Sequence, residues 1–117
     1  MMPGEISRGE LWWVDWSPGR GSEQTGRRPA LVVQTDAANH NRRYPNTIVV
    51  TVSTTGRDVP FHVPLEASAE SRLSASSFAK CEQVLTISKQ RLDTRLGRVT
   101  AEELARVERA LRLVLDL

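Results

Sequence analysis

The polar run from Gly21 to Pro29 offers more chemistry than any other segment of this 117-residue chain. It holds a carboxylate, an amide and two guanidinium groups directly before an apolar stretch, which an ordinary solvent-exposed connector does not require. Pro29 has a fixed φ and favours an extended backbone at the residue before it, so Arg28 is expected to be held at the mouth of a strand. A guanidinium held there can stabilise the extra negative charge of a phosphoryl transition state, and Glu23 could orient it.

Other catalytic chemistries have weaker support. The two histidines lack metal-ligand spacing, and neither a Cys-x-x-Cys nor an Asp-x-Asp motif occurs, so we expect neither a metal nor another cofactor. His40 and His62 could form an acid–base pair that cuts RNA, but the sequence favours two exposed histidines, one in a hydrophilic loop and one on an edge strand. Cys81, between Lys80 and Glu82, is expected to be a small packed thiol rather than a reactive one.

The charged and aromatic residues are compatible with nucleic-acid binding. Lys80 and Lys89 are the two lysines among 16 basic residues, which leaves 14 arginines, yet the net charge is only +2. Arginine grips phosphate in a bidentate manner, although a GC-rich genome would produce the same bias. Trp12 and Trp16 offer π-faces on which unpaired bases could stack, and core packing is the alternative for both.

Short strands and one helix must position these groups. Alternating or β-branched patterns predict strands over Gly9 to Trp16, Ala30 to Gln34, Asn46 to Ser53, Phe61 to Leu65 and Phe78 to Ile87. Pro64 cannot donate to a ladder, which predicts an edge position for its strand. Residues 17–28 are expected to form a long ordered loop, and residues 36–46 a polar surface connection. Thr100 and Glu103 have capping-box spacing before a helix that runs nearly to Leu117.

These elements predict one domain over residues 1–117, of the mainly β class with added α: a small, strongly bent sheet or partly open barrel closed by helices. A single cysteine excludes an internal disulfide and favours a reducing cytoplasm. No apolar run approaches the roughly 20 residues of a membrane span, and the first five residues lack the pattern of a signal peptide.

Three motifs together resemble the amino-terminal signature of the MazF/PemK/Kid family, small endoribonuclease toxins of bacterial toxin–antitoxin pairs. They are Arg8-Gly9-Glu10-Leu11-Trp12-Trp13-Val14-Asp15, Gly21-Ser22-Glu23-Gln24 and Arg28-Pro29-Ala30-Leu31-Val32-Val33-Gln34. The resemblance continues through Asn46–Val50, the pair Thr54–Thr55, Glu82–Val84 and Lys89–Leu92, and therefore covers most of the chain.

The resemblance implies an SH3-like barrel with a C-terminal helix that works as a homodimer. It implies metal-independent, ribosome-independent cleavage of single-stranded RNA at a short sequence. In that reaction the ribose 2′-hydroxyl attacks the neighbouring phosphorus and leaves a 2′,3′-cyclic phosphate and a 5′-hydroxyl. A cognate antitoxin would inhibit the enzyme, and an acidic, initially disordered segment that folds on binding is the expected form of that partner.

The resemblance also assigns roles to residues. Arg28 and Thr54 correspond to the catalytic arginine and threonine, with Glu23 as catalytic support. An arginine stays protonated, so its electrostatic role is preferred over that of a general base. Many members carry Pro and then Leu or Cys before the threonine; here Val52 and Ser53 stand there, which leaves open whether Ser53 or Thr54 meets the phosphate. Ser22, Gln24 and Gln83 match polar positions of the family that would meet RNA. From their own chemistry, Trp16, Ser53 and Arg57 are further expected RNA contacts, with Arg20 and Arg27 as additional phosphate contacts.

Two hypotheses from other classes stay open on the sequence alone. A non-enzymatic toxin on the same barrel, such as an inhibitor of a topoisomerase, would not need Arg28 and a strand-end hydroxyl together. An RNA-binding domain that does not cleave would instead hold intact RNA in a salt-sensitive complex.

Overall fold

Six strands form one antiparallel sheet in the computed structural model, which describes residues 5–16 and 26–117. The sheet order is β4-β5-β3-β2-β1-β6. The strands are β1 (Glu10–Asp15), β2 (Arg27–Val32), β3 (Asn46–Ser53), β4 (His62–Leu65), β5 (Ser77–Ser88) and β6 (Leu92–Arg98). A short helix α1 (Asp36–Asn39) lies between β2 and β3, a 3-10 turn (Lys89–Arg91) joins β5 to β6, and helix α2 (Ala101–Leu115) ends the fold.

The five strands expected from the sequence are confirmed, and β3 has the predicted bounds. Strand β4 lies at an edge of the sheet, as the proline at position 64 predicts. The sequence patterns missed β6, whose Leu92–Arg98 segment is largely polar and exposed, because this edge strand is held by pairing with β1. They also missed α1, which occupies part of the predicted surface connection.

Each face of the sheet buries its own apolar cluster, because the strand side chains alternate between the two faces. The first cluster lies under helix α2 and includes Leu11, Leu31, Val50, Val52, Val63, Ala79, Val107 and Ala110. The second lies on the opposite face and includes Trp12, Val14, Trp16, Ala30, Val32, Val49, Ile87 and Leu92. Since Arg28 alternates with Ala30 and Val32, its side chain belongs to the face that α2 does not cover, which we call the uncovered face.

The sheet curls until its two edges are joined through the segment that follows β4. The backbone N–H of Arg98, at the end of β6, donates to the carbonyl of Glu70 at 3.0 Å. Gly97 leaves no room for a Cβ beside the carbonyl oxygens of Glu70 and Ser71. The mainly β fold with a C-terminal helix is thus confirmed, with a bent sheet closed at this contact.

Helix α2 begins with the predicted capping box. The Thr100 hydroxyl accepts from the Glu103 N–H at 3.0 Å, and the Glu103 carboxylate accepts from the Thr100 N–H at 2.9 Å. The second oxygen of that carboxylate accepts from the backbone N–H of Glu66 at 2.9 Å, which ties the start of the helix to the end of β4. In the part of the chain that the structure describes, neither helix is long and apolar enough to cross a membrane.

Replacement of Thr100 by alanine should lower the free energy of unfolding by about 1 kcal/mol, because the N–H of Glu103 loses its side-chain acceptor. Urea denaturation followed by circular dichroism measures this change. Ser76→Ala, which removes an exposed hydroxyl from the loop before β5, serves as the control. Equal midpoints for the two variants would contradict the importance of the cap.

Candidate functional site

Arg28 is the second residue of β2, and its side chain is exposed. It pairs with Val14 of β1, while Pro29 pairs with Trp13 and is partly buried. Pro29 therefore anchors the backbone on one side of Arg28, and the guanidinium emerges from the uncovered face of the sheet. This is the position at the strand mouth that the sequence predicts for it.

The end of β3 approaches the same place. Ala30 and Thr51 form the last pair of β2 with β3, and Arg28 and Ser53 each lie two residues beyond that pair on their own strands. Because side chains two residues apart on a strand point to the same face, Arg28 and Ser53 share the uncovered face with Ala30 and Thr51. Thr54 follows directly and is exposed. The sheet thus puts the Arg28 guanidinium on the same face as the hydroxyl-bearing end of the neighbouring strand.

The two hydroxyl groups at this strand end differ in their contacts. Ser53 Oγ accepts from the backbone N–H of Thr55 at 3.2 Å and lies 3.1 Å from Thr55 Oγ1. Its hydroxyl therefore shapes the turn out of β3. Among the hydrogen bonds within residues 5–16 and 26–117, none involves the side chain of Thr54.

A bulge in β5 brings two further polar residues, Gln83 and Lys80, to this face. Val50 pairs with Val84, but the next residue of β3, Thr51, pairs with Lys80. Residues 81–83 of β5 are therefore extra residues without a pairing partner on β3. Bulges redirect side chains in this way and are frequent beside functional sites. Gln83 is half-buried, and its carbonyl oxygen accepts a hydrogen bond from the Thr51 hydroxyl.

Lys80 is a cation on this face that the sequence patterns do not place among the RNA contacts. It pairs with Thr51 on one side and with His62 on the other, and it is half-buried. In the sequence it stands out only as the neighbour of Cys81. Its place beside Thr51 follows from the register and the bulge, and neither is visible in the order of residues.

His62 differs from its expected exposure, since only 5% of its side chain is accessible. Its Nδ1 accepts from the backbone N–H of Arg57 at 2.9 Å, and its Nε2 lies 2.8 Å from a carboxylate oxygen of Glu82. The expectation of an exposed histidine was wrong because the β3–β4 loop and the β5 bulge enclose the ring. His40 is exposed as expected and contacts a different segment, with Nε2 3.2 Å from Ser7 Oγ. The two histidines share no contact residue in the described part of the chain.

The tryptophans belong mainly to the core. Trp12 is buried, with its Nε1 donating to Glu10 Oε1 at 3.1 Å, so the core-packing interpretation is confirmed. Trp16 is 7% exposed and packs in the second cluster, and its buried Nε1 has no hydrogen-bond partner among the described residues. A stacking role for Trp16 stays a prediction, and the structure gives it little free ring surface. Trp13 is half-buried, and the guanidinium of Arg27 lies over its ring in a cation–π contact, 4.6 Å from the ring centroid.

Several of the predicted RNA contacts lie outside the described residues or interact with other side chains. Ser22, Glu23 and Gln24, with Arg20 and most of the predicted long loop, lie outside the described residues. Arg57 is exposed on the β3–β4 loop. Arg27 forms an ion pair with Asp93 at 2.6 Å. Within residues 5–16 and 26–117, His, Cys, Asp and Glu side chains form no group of three that could hold a metal ion.

Comparisons with known proteins agree with the sequence motifs. A family model described as PemK-like, MazF-like toxin of type II toxin–antitoxin system matches residues 7–115. The chain is 42% identical to Endoribonuclease MazF9 of Mycobacterium tuberculosis over 116 residues, covering 96% of this chain and 98% of that protein. Endoribonuclease MazF6 of the same species is 38% identical over 113 residues, with the same coverage.

Solved structures of such toxins share the fold. MazF from Deinococcus radiodurans superposes with a TM-score of 0.79 at 28% identity, covering 96% of this chain and 97% of that chain. A chain of a MazE–MazF crystal structure from the same organism superposes with a TM-score of 0.77 at 26% identity, covering 97% and 98%.

Cys81 should be chemically inert in the folded protein. It is fully buried in the first cluster, and burial, with a smaller contribution from the negative charge of Glu82, raises the pKa of its thiol to about 12. The reactive thiolate is therefore scarce at every pH well below that value. We expect iodoacetamide at pH 8 to label the thiol only after unfolding in guanidinium chloride, as followed by mass spectrometry. Labelling of the native protein at the rate of the unfolded chain would contradict this.

Proposed function

This chain belongs to the PemK-like, MazF-like toxin family of type II toxin–antitoxin systems, and we propose that it is a sequence-specific endoribonuclease toxin that cleaves single-stranded RNA without a metal and independently of the ribosome. Endoribonuclease activity is the activity for which its curated relatives are named. The observation that carries the proposed mechanism is that Arg28 and the end of β3 share the uncovered face of the sheet, each two residues beyond the pair Ala30–Thr51. The proposal treats residues 1–117 as one toxin domain.

Arg28 acts through its charge in this mechanism. The ribose 2′-oxygen loses its proton and forms a bond to phosphorus, while the bond from phosphorus to the 5′-oxygen breaks and that oxygen gains a proton. The products are a 2′,3′-cyclic phosphate and a 5′-hydroxyl. A guanidinium that stays protonated stabilises the negative charge that builds on the phosphoryl oxygens. Its anchored backbone supports this role, because little reorganisation is needed as the charge develops.

Thr54 is the better candidate for a hydrogen bond to the scissile phosphate. The Ser53 hydroxyl is engaged with Thr55, whereas Thr54 is exposed and its hydroxyl is available in the described structure. Glu23 is proposed as catalytic support for Arg28.

The remaining polar side chains around the site are proposed to bind the RNA. Arg57 is exposed on the loop after β3, and Lys80 adds a further cation to the same face. The Gln83 carbonyl accepts from Thr51, which leaves its amide N–H groups to recognise an RNA acceptor. Ser22, Gln24, Trp16 and Ser53 complete the proposed contacts.

The proposal includes inhibition by a cognate antitoxin, assembly as a homodimer and a cytoplasmic location. A structure of MazE with MazF, in which the toxin chain resembles this one, supports an antitoxin partner. Arg28, Arg57 and Lys80 give the site positive charge, which suits an acidic antitoxin segment that would compete with RNA.

Replacement of Arg28 by alanine should reduce kcat/KM by about 10²–10³-fold, the usual loss when a donor to a developing oxyanion is removed. The measurement is the rate of discrete cuts in a long single-stranded RNA in the presence of EDTA. Arg112→Ala is the matched control, because Arg112 is an exposed arginine on α2, which covers the opposite face of the sheet.

The cut ends test the proposed chemistry. Fragments should carry a 2′,3′-cyclic phosphate and a 5′-hydroxyl, and a 2′-deoxyribose at the cleavage position should abolish the cut. Loss of cutting with EDTA would refute the metal-independent mechanism, and full activity of Arg28→Ala would refute the role of Arg28. RNA that is bound in a salt-sensitive manner but never cut would favour an RNA-binding domain instead.

The two hydroxyl groups at the end of β3 can be separated by isosteric replacement. Thr54→Val keeps the shape of the side chain but removes the hydrogen bond to phosphate, so kcat should fall about tenfold or more. Ser53→Ala removes the turn contact with Thr55 and the proposed RNA contact of Ser53, but no bond to the scissile phosphate, and should cost less. A larger loss for Ser53→Ala than for Thr54→Val in single-turnover cleavage would assign the phosphate contact to Ser53.

A further inference from the structure

His62 uses both of its ring nitrogens to connect two segments beside the proposed site. Nδ1 accepts from the backbone N–H of Arg57, so that nitrogen carries no proton in this arrangement. The remaining ring proton therefore belongs to Nε2, which donates to the carboxylate of Glu82 at 2.8 Å. The imidazole is thus a bridge between the loop after β3 and the bulge of β5.

The loop that donates the bond to Nδ1 contains the proposed phosphate-binding residues. Thr54 and Arg57 lie on it, three residues apart, and it returns to the sheet at His62 itself. Backbone turns within the loop, from Val59 N–H to the Arg57 carbonyl at 2.9 Å and from His62 N–H to the Val59 carbonyl at 3.1 Å, shape only its second half. The bond to the Arg57 N–H therefore links the first half to the rest of the sheet.

A second contact shows how closely the first half of the loop is held. A Cβ at Gly56 would lie 2.5 Å from Cγ of Phe78, so the backbone at Gly56 rests directly against the aromatic ring. Phe78 lies on β5 and pairs with Ser53 of β3, which places the ring beneath the loop. The backbone from Ser53 to Arg57 thus packs on the Phe78 ring at Gly56 and is hydrogen-bonded to the His62 imidazole at Arg57.

The burial of His62 supports a specific role for its polar atoms. A buried ring with two nitrogens is stable only when both are hydrogen-bonded, and an apolar side chain would pack at this position without that requirement. Its neighbours in the sheet are Lys80 in direct register and Glu82 on the bulge. Lys80 cannot replace Nδ1 as the acceptor for the Arg57 N–H, since a lysine ammonium only donates.

We propose that His62 is a positioning residue of the endoribonuclease, which acts through the Arg57 backbone to hold Thr54 and Arg57 in their RNA-binding arrangement. This inference rests on the proposed function above. It assigns His62 neither proton transfer nor contact with RNA. A displacement of about 1 Å at a reacting centre can cost on the order of a hundredfold in rate, so a single backbone hydrogen bond is sufficient for the effect.

Two amide replacements separate the two bonds of the ring. In His62→Asn, the shorter amide places its carbonyl oxygen near the position of Nδ1 and keeps an acceptor for Arg57, but it cannot reach Glu82. In His62→Gln, the longer amide lies near the position of Nε2 and keeps a donor to Glu82, but it offers no group at Nδ1. His62→Gln should therefore lower kcat on the order of ten- to a hundredfold, with a smaller change in KM, whereas His62→Asn should retain most of the wild-type kcat.

His40→Gln is the matched control, because His40 is exposed and contacts Ser7 at a separate place in the fold. Thermal unfolding of all variants shows which of them are folded. Hydrogen exchange of the Arg57 amide gives a readout that does not depend on activity: it should be slow in the wild type and in His62→Asn and fast in His62→Gln.

The outcomes distinguish this inference from the proposed function. Equal loss of kcat in both His62 variants would overturn it in favour of acid–base catalysis by the imidazole, and wild-type kcat in both would also overturn it. Equal exchange of the Arg57 amide in the three proteins would overturn it even if a variant were unstable. A wild-type protein that cuts no RNA would instead refute the proposed function, while the exchange measurement would still test the hydrogen bond.

Discussion

The register between β2 and β3 is the constraint on which the site depends. Ala30 faces Thr51, Leu31 faces Val50 and Val32 faces Val49, and each of these three pairs lies in the interior of the sheet. A shift by one residue would turn every β2 side chain to the other face. Leu31 would leave the cluster under α2, and Arg28 would leave the face that holds Ser53. The same pairing that buries the core therefore puts the cation and the Ser53 hydroxyl on one face of the sheet.

A polar network fixes this register at the far end of the two strands. The buried Asn39, at the end of α1, accepts from the side chains of Gln34 at 3.0 Å and Thr47 at 2.8 Å. The ammonium group of the buried Lys89 donates to the carbonyls of Ala38, Asn39 and Asn41, at 3.0, 2.9 and 3.1 Å. Each buried donor left unpaired costs about 1–3 kcal/mol, so a slipped register would lose several such bonds at once. The network lies away from the site and acts on it through the strands.

The sequence predicts those features that depend on neighbouring residues. Strand β3 is recognisable because β-branched residues fill it, the cap of α2 because Thr100 and Glu103 have the required spacing, and the placement of Arg28 because Pro29 follows it. The features that were missed depend on distant partners. Strand β6 is polar and exists because β1 pairs with it, and the β5 bulge appears only as a change in register opposite Val50 and Thr51. The burial of His62 follows from that bulge and from the loop after β3, so no local pattern indicates it.

The site also shows why its charged and neutral nitrogen groups are used differently. Arg28 keeps its charge at every physiological pH and lies where solvent and RNA can reach it. His62 is buried, and both of its ring nitrogens are engaged. Nδ1 is the acceptor for the Arg57 N–H, so the tautomer with its proton on Nε2 is the form that supports the loop. Electrostatic stabilisation is thus assigned to the exposed guanidinium, and positioning to the buried ring whose two hydrogen bonds hold the loop.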